Sequence, residues 1–264
     1  MAANGELHTI QQNHSVKEAV ISFTVKPEIQ APSDYRKLLG QGSPLSDFYH
    51  QFEPVKTVEI TMDVKRSESQ IKTEQISGFK LIGFKNGKTS HVIQGLNQPN
   101  QGVFTFNTVD YTNWHDFKAS VTRDANVIAK FKPTYLIKAI SLLYIDEFYF
   151  ESGISYNPNG LFNKDSRNLP EGILDAAFVD YNIVMRRNNS QYTYEENLST
   201  KVYDEGSKKT IRIIENLTFP IVPVSFLELF NNESLSKILD FAHSENKSLL
   251  MDILNPDISK LIGL

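Results

Sequence analysis

TYLIKAISLLYIDEFYF, residues 134–150, is the stretch on which the fold turns. It follows Pro133 and is dense in β-branched and aromatic side chains. Such residues suit a pleated, buried surface, so the stretch predicts a strand at the centre of a sheet. Near its end stand two acids, Asp146 and Glu147. Burial would raise the pKa of one of these carboxyls and make it a candidate acid or base. The plainer expectation is that the pair marks the strand's exit to solvent.

Upstream of it, FNTVDYTNWHDF, residues 106–117, holds the single tryptophan of the chain. From Trp114 the apolar positions Phe117, Val121, Ala125 and Ile128 recur at spacings of three and four, one face of an α-helix. Asn113 is a good N-cap, and Asp116 at the third helical position can satisfy first-turn amides and oppose the helix dipole. Trp114 is therefore expected to anchor a helix onto a sheet, with His115 pointing away. Earlier still, VKEAVISFTV (16–25) alternates as a strand with Ile21, Phe23 and Val25 on one face, and Pro27 ends it. PSDYRKLLG (32–40) reads as a short helix capped by Ser33 and closed by Gly40. VKTVEITMDVKRSE (55–68) has the strongest period of two, and predicts a half-buried strand. Asn86-Gly87 between two strand-like runs is a hairpin turn, and GVFTF (102–106) a further short strand.

Downstream, residues 151–172 are dense in Gly, Pro, Asn and Ser and read as a long connection. AAFVDYNIVMRR, SQYTYEENLSTKVYDEG and KKTIRIIENLTF then read as three strands, with turns at Asn188-Asn189 and Glu205-Gly206. After Pro220 and Pro223 the pattern changes. Residues 225–254 carry a helical stripe, Pro256 ends it, and DISKLIGL adds a last turn. The expected fold is α+β, with mostly antiparallel sheets and packed helices. It has a flexible lead (1–14), an N-terminal half (15–150), the connection (151–172) and a C-terminal half of strands followed by a helical segment (173–264).

Composition sets bounds on function. The 264 residues carry a net charge of −4, which argues against broad phosphate-driven binding of nucleic acid. There is no cysteine, which excludes disulfides and thiolate metal sites and fits a cytoplasmic protein. The N-terminus is polar, without the apolar region of a signal peptide. No run approaches the roughly 18 apolar residues of a membrane helix, so no membrane partner is expected. Asn-x-Ser/Thr triplets at Asn197 and Asn216 then reflect composition.

Little of the sequence looks like chemistry. The six histidines, at 8, 14, 50, 91, 115 and 243, form no metal-ligand spacing, so no metal and no cofactor is expected. There is no nucleophile elbow and no phosphate-binding glycine loop; Gly78, Gly83 and Gly87 read as strand and hairpin glycines. Glu59, Asp63 and Lys65 share one strand face and are the raw material of a metal-dependent nuclease. The same residues are equally the solvated face of an amphipathic strand. Arg186-Arg187 and Lys208-Lys209 flank two turns, and beside Tyr192 and Tyr194 they could hold a nucleic-acid strand by charge and stacking.

The order of these features resembles a sporadically distributed bacterial and archaeal family of conserved proteins of about 250 residues. Four segments carry the likeness: VKEAVISF (16–23), the Tyr111-x-x-Trp114-x-x-Phe117 helix start, LLYIDEF (142–148) and FAHSENKSLLMDILNPDISKLIG (241–263). Leu143 stands where that family usually has Arg, Asp146 where it has Asn, and Val16-Lys17 replaces a Pro-Ile. The resemblance implies an α+β fold and an accessory setting such as defence or toxin–antitoxin modules, with no established activity. The functional expectation is a non-enzymatic, protein-binding or regulatory component, antitoxin-like or adaptor-like, that also allows a homo-oligomer. A metal-dependent enzyme acting on nucleic acid or nucleotide, through Glu59, Asp63 and Lys65 or through Asp146 with a histidine, is the alternative. An RNA-binding accessory module is the third.

Overall fold

The computed structural model describes residues 7–10, 14–63, 68–150, 158–170, 172–173, 180–205, 208–231 and 233–264, with side chains of 58–74, 205 and 231 outside that description. Its strands are β1 (Leu7–Thr9), β2 (Val16–Lys26), β3 (Gln51–Asp63), β4 (Glu68–Lys85), β5 (Lys88–Gln98), β6 (Gln101–Thr108), β7 (Leu136–Phe150), β8 (Asp180–Asn188), β9 (Thr193–Glu205) and β10 (Lys208–Ser225). All join one antiparallel sheet in the order β3-β4-β5-β6-β2-β7-β10-β9-β8, with β1 also paired to β7.

The stretch 134–150 is central, as its composition predicts. β7 pairs with β2 on one side and β10 on the other. The registers place Phe23, Ile140 and Phe219 in one row, Ile21, Leu142 and Leu217 in the next, and Ala19, Tyr144 and Glu215 in the third. All nine are buried. The opposite face is mixed and half-buried: Ser141 and Thr218 meet there through their hydroxyls at 3.0 Å, beside Leu143 and Ile145.

The helices cover the apolar face. α1 (Trp114–Phe131) starts where the sequence places it, with Asn113 Oδ1 accepting the Asp116 amide at 2.9 Å. α2 (Pro158–Leu161) lies in the expected connection. α3 (Phe226–Asn231), α4 (Ser234–Ile253) and α5 (Pro256–Leu261) form the C-terminal helical segment. Residues 32–39 form a 3₁₀ helix, and its cap differs from the expectation. The preceding residue is Ala31, at φ 44°, and no side chain caps the helix. Pro32, lacking an N–H and pre-set in φ, starts the helix one residue before Ser33 could cap it. The Asn86-Gly87 turn is present, with φ 52° and 74°.

Residues from both sides of the expected 151–172 connection share core. Phe226 packs edge-on against Phe23 and Phe104, with centroids 5.4 and 6.0 Å away. α4 places Leu235, Ile238, Leu239 and Ala242 in one buried cluster and Leu249, Leu250 and Ile253 in a second, and so ties the two together. The stretch with the strongest alternation forms a strand as far as Asp63, and the burial of 58–68 lies outside the described residues. β4 pairs with β5 only from Gly78 onward, so β3 beyond Val55 pairs with β4 alone, as a two-stranded ribbon.

Phe23→Ala removes a fully buried ring from the central row. Unfolding by urea should show a loss of about 3–5 kcal/mol; a loss under 1 kcal/mol would mean the seam is not packed as described.

Candidate functional site

A cleft of about 310 Å³ opens where the end of β7, the start of α1 and the C-terminal half of α4 meet. It forms at a join in the sheet. β1 pairs with β7 down to Phe148, and β2 takes up the pairing at Asp146. His14 and Ser15 sit at that join; the Ser15 carbonyl accepts the Glu147 amide at 2.8 Å and its hydroxyl donates to Asp146 Oδ1 at 2.6 Å. Tyr111 to Trp114 supply a second wall, and His243, Asn246, Lys247 and Leu250, one face of α4, a third.

The strand does not exit to solvent at Asp146-Glu147: Asp146 is 1% exposed and Glu147 5%. The plainer expectation thus fails, because β10, β1 and the C-terminal helices extend the buried layer past the hydrophobic run. The two acids differ in environment. Glu147, on the other face, accepts from Lys17 and Tyr203 at 2.9 Å each and from Arg212 at 2.7 Å. Burial raises its pKa, but those partners outweigh it and hold it below the usual range. Asp146 is pushed up to about 6 by burial, with only the Ser15 hydrogen bond opposing.

The aromatic wall is a relay of contacts. His243 stacks on Trp114 with centroids 4.6 Å apart and planes 10° apart, and its Nδ1 lies 3.1 Å from the Tyr144 hydroxyl. The Trp114 Nε1–H donates to Asp240 Oδ1 at 2.9 Å, and Lys118 holds the same carboxylate at 2.7 Å. Trp114 is therefore half-buried, and both an anchor of α1 and a wall of the cleft. His115 is exposed, as its place on the helix predicts. Burial, aided by the nearby Lys247 charge, drives His243 down to about 4, and burial lowers His14 as well. The His14 Nδ1 is buried with no hydrogen-bond partner. Burial raises Tyr111 and Tyr144, so both stay phenols. Behind Asp146, Glu215 is fully buried; Asn246 donates to one oxygen at 2.5 Å, and the other has no partner. Burial keeps its pKa well above the usual value.

The other residues singled out by sequence do not gather. Glu59 and Asp63 pair through the backbone with Lys72 and Glu68 on the outer ribbon, their side chains outside the described residues together with Lys65. β3 lies five strands from β7, or about 24 Å at the usual strand spacing. Arg186-Arg187 and Lys208-Lys209 lie at opposite ends of β9, whose 13 residues span about 40 Å. Consecutive turns of an antiparallel meander alternate ends, which is why the two pairs cannot form one basic patch. Arg187 binds the buried Glu196 at 3.1 Å, Lys209 pairs with Asp204 at 3.3 Å, and Lys208 lies 4.0 Å from the Tyr149 ring. Among the described residues no group of three or more His, Asp or Glu could hold a metal ion, and no helix is long and apolar enough to cross a membrane.

Sequence reasoning flagged Asp146 and Trp114 but missed His14, Ser15, Asn246 and Glu215. Spacing could not find them, because the cleft draws single residues from segments more than 200 positions apart. No protein-family model, curated protein or solved structure matches this chain. The four segments on which the sequence resemblance rests each contribute to this cleft: Val16, Tyr111 with Trp114, Tyr144 with Asp146, and His243 with Leu250 and Ile262.

The raised pKa of Asp146 has a thermodynamic signature. An unfolded aspartate titrates near 3.8 and the folded one near 6. The folded protein binds more protons between those values, so Asp146 destabilises it as pH rises through about 6. Asp146→Asn should raise stability at pH 7.5 by up to about 3 kcal/mol, two pKa units, and leave it unchanged at pH 3.5. Urea midpoints at the two pH values check this; a destabilised variant at pH 7.5 would show that a charge compensates the carboxylate.

Proposed function

We propose that this protein works by binding, as a recognition or regulatory component, and that the cleft beside Asp146 is its working surface. The observation that carries the reading is convergence. Residues 14–16, 111–114, 144–146, 243–250 and 262–264 meet around one space. Aromatic walls with a few oriented polar groups are the usual form of a site for a compact ligand or a protruding side chain. The groups present suit recognition better than turnover. Both imidazoles are pushed down and both phenols up, and the Ser15 hydroxyl is spent on Asp146. An accessory role in a defence or toxin–antitoxin module, implied by the sequence resemblance, is one setting for such a component, with a protein as the partner that fills the cleft.

A second reading is an acid–base enzyme. It is favoured by Asp146, titrating near 6, lining the same cleft as His14 and His243. The nuclease and RNA-binding readings draw no support from the places of Glu59 and Asp63 or of the two basic pairs.

Thr112 is exposed and lines the rim, so Thr112→Trp closes the cleft without touching the core. Native mass spectrometry of protein purified gently from its host should show a stoichiometric bound species on the wild type, absent from Thr112→Trp at unchanged melting temperature. A species held equally by both proteins would move the function away from the cleft, and one converted by the wild type would favour the enzyme.

A further inference from the structure

We propose that the group received by the cleft is a singly charged cation, an ammonium or guanidinium head on an apolar stem, seated against Asp146. The proposal rests on the reading of the cleft as a binding site and names what it takes.

Asp146 differs from three of the other buried acids, Asp124, Glu147 and Glu196, in having no cation. Glu147 has Lys17 and Arg212, Glu196 has Arg187, and Asp124 has Arg123 at 2.7 Å with the Tyr49 hydroxyl at 2.6 Å. Among the described residues, only Asp146 and Glu215 of the buried acids are held by neutral donors alone, Ser15 and Asn246. These two lie on adjacent strands, and the Asp146 charge helps to hold Glu215 up. A carboxylate taken out of water without a counter-ion costs several kcal/mol. A cation entering the cleft relieves that cost, whereas an anion adds to it.

The rest of the lining agrees. The buried Nδ1 of His14 lacks a partner on the same side of the cleft, next to Ser15. In one neutral tautomer it accepts a second N–H from the same head group. Tyr111, Tyr144 and Trp114 bring three π systems to the lining, which favour a cation over an anion and cover an apolar stem. Lys247 also lines the cleft, and its charge acts on His243. One positive head at Asp146 fits that arrangement, while a second positive charge would meet Lys247.

Trp114 is the only tryptophan of the chain, so its emission and its single indole N–H resonance report from the cleft itself. The full-length protein is titrated at pH 7.5 with n-butylammonium and n-butylguanidinium, and with butyramide and butyrate as neutral and anionic counterparts. The expected result is a saturable change with a cation, at least tenfold weaker with the amide and butyrate, and weakened at least tenfold in Asp146→Asn. Asp34→Asn, on a half-exposed acid outside the cleft, should bind as the wild type does. Saturation by the amide or by butyrate at equal strength overturns the cation while leaving the cleft a binding site. Undiminished cation binding by Asp146→Asn overturns it too. No response of Trp114 to any of the four probes overturns both.

Discussion

The rest of the structure depends on the pairing of β7 with β2 and β10. Three strands from distant parts of the chain lie side by side there, and their registers bring Phe23, Ile140 and Phe219, then Ile21, Leu142 and Leu217, into rows on one face. A one-residue slip of β7 would turn Ile140, Leu142 and Tyr144 away from the helix-covered face. That constraint fixes where α1 and α4 can pack, since both need this apolar layer. It also fixes the next row, Ala19, Tyr144 and Glu215, and thereby the place of Tyr144 in the cleft.

The cleft is a place where burial and charge conflict. Asp146 continues the buried face of β7, yet the chain provides it only a hydroxyl. Glu147, one residue on and facing the other way, is given two cations and a phenol. Alternation of a strand thus separates two neighbouring acids into an ion-pair network and a carboxylate with no counter-ion among the described residues. Buried charges without a counter-ion are where proteins give up stability for function, and the surrounding imidazoles and phenols hold no charge to offset it.

Much of the local structure is legible in residue patterns. The Asn113 cap with Asp116, the helical stripe from Phe117 to Ile128 and the Asn86-Gly87 turn depend on neighbours within a few positions, so sequence alone exposes them. The central place of residues 134–150 is legible for the same reason, since a strand covered on its apolar face by helices and flanked by strands on both sides needs apolar residues along its length. Apart from the cap of the 32–39 helix, the misplaced features are long-range. An acidic pair after an apolar run predicts an exit of Asp146 to solvent. It fails because β10 and α4, more than 60 residues later, continue the cover. The two basic pairs were adjacent in character but not in space, because each belongs to a different turn of one meander.

Residue patterns alone specify an antiparallel α+β protein and the order of most of its elements and turns, because periodicity and capping act over three or four residues. The tertiary structure alone decided that His14, Tyr111, Tyr144, Asp146 and His243 surround one cleft. Which residues meet across a sheet is set by strand order and register, and these emerge only when the whole apolar face is buried at once.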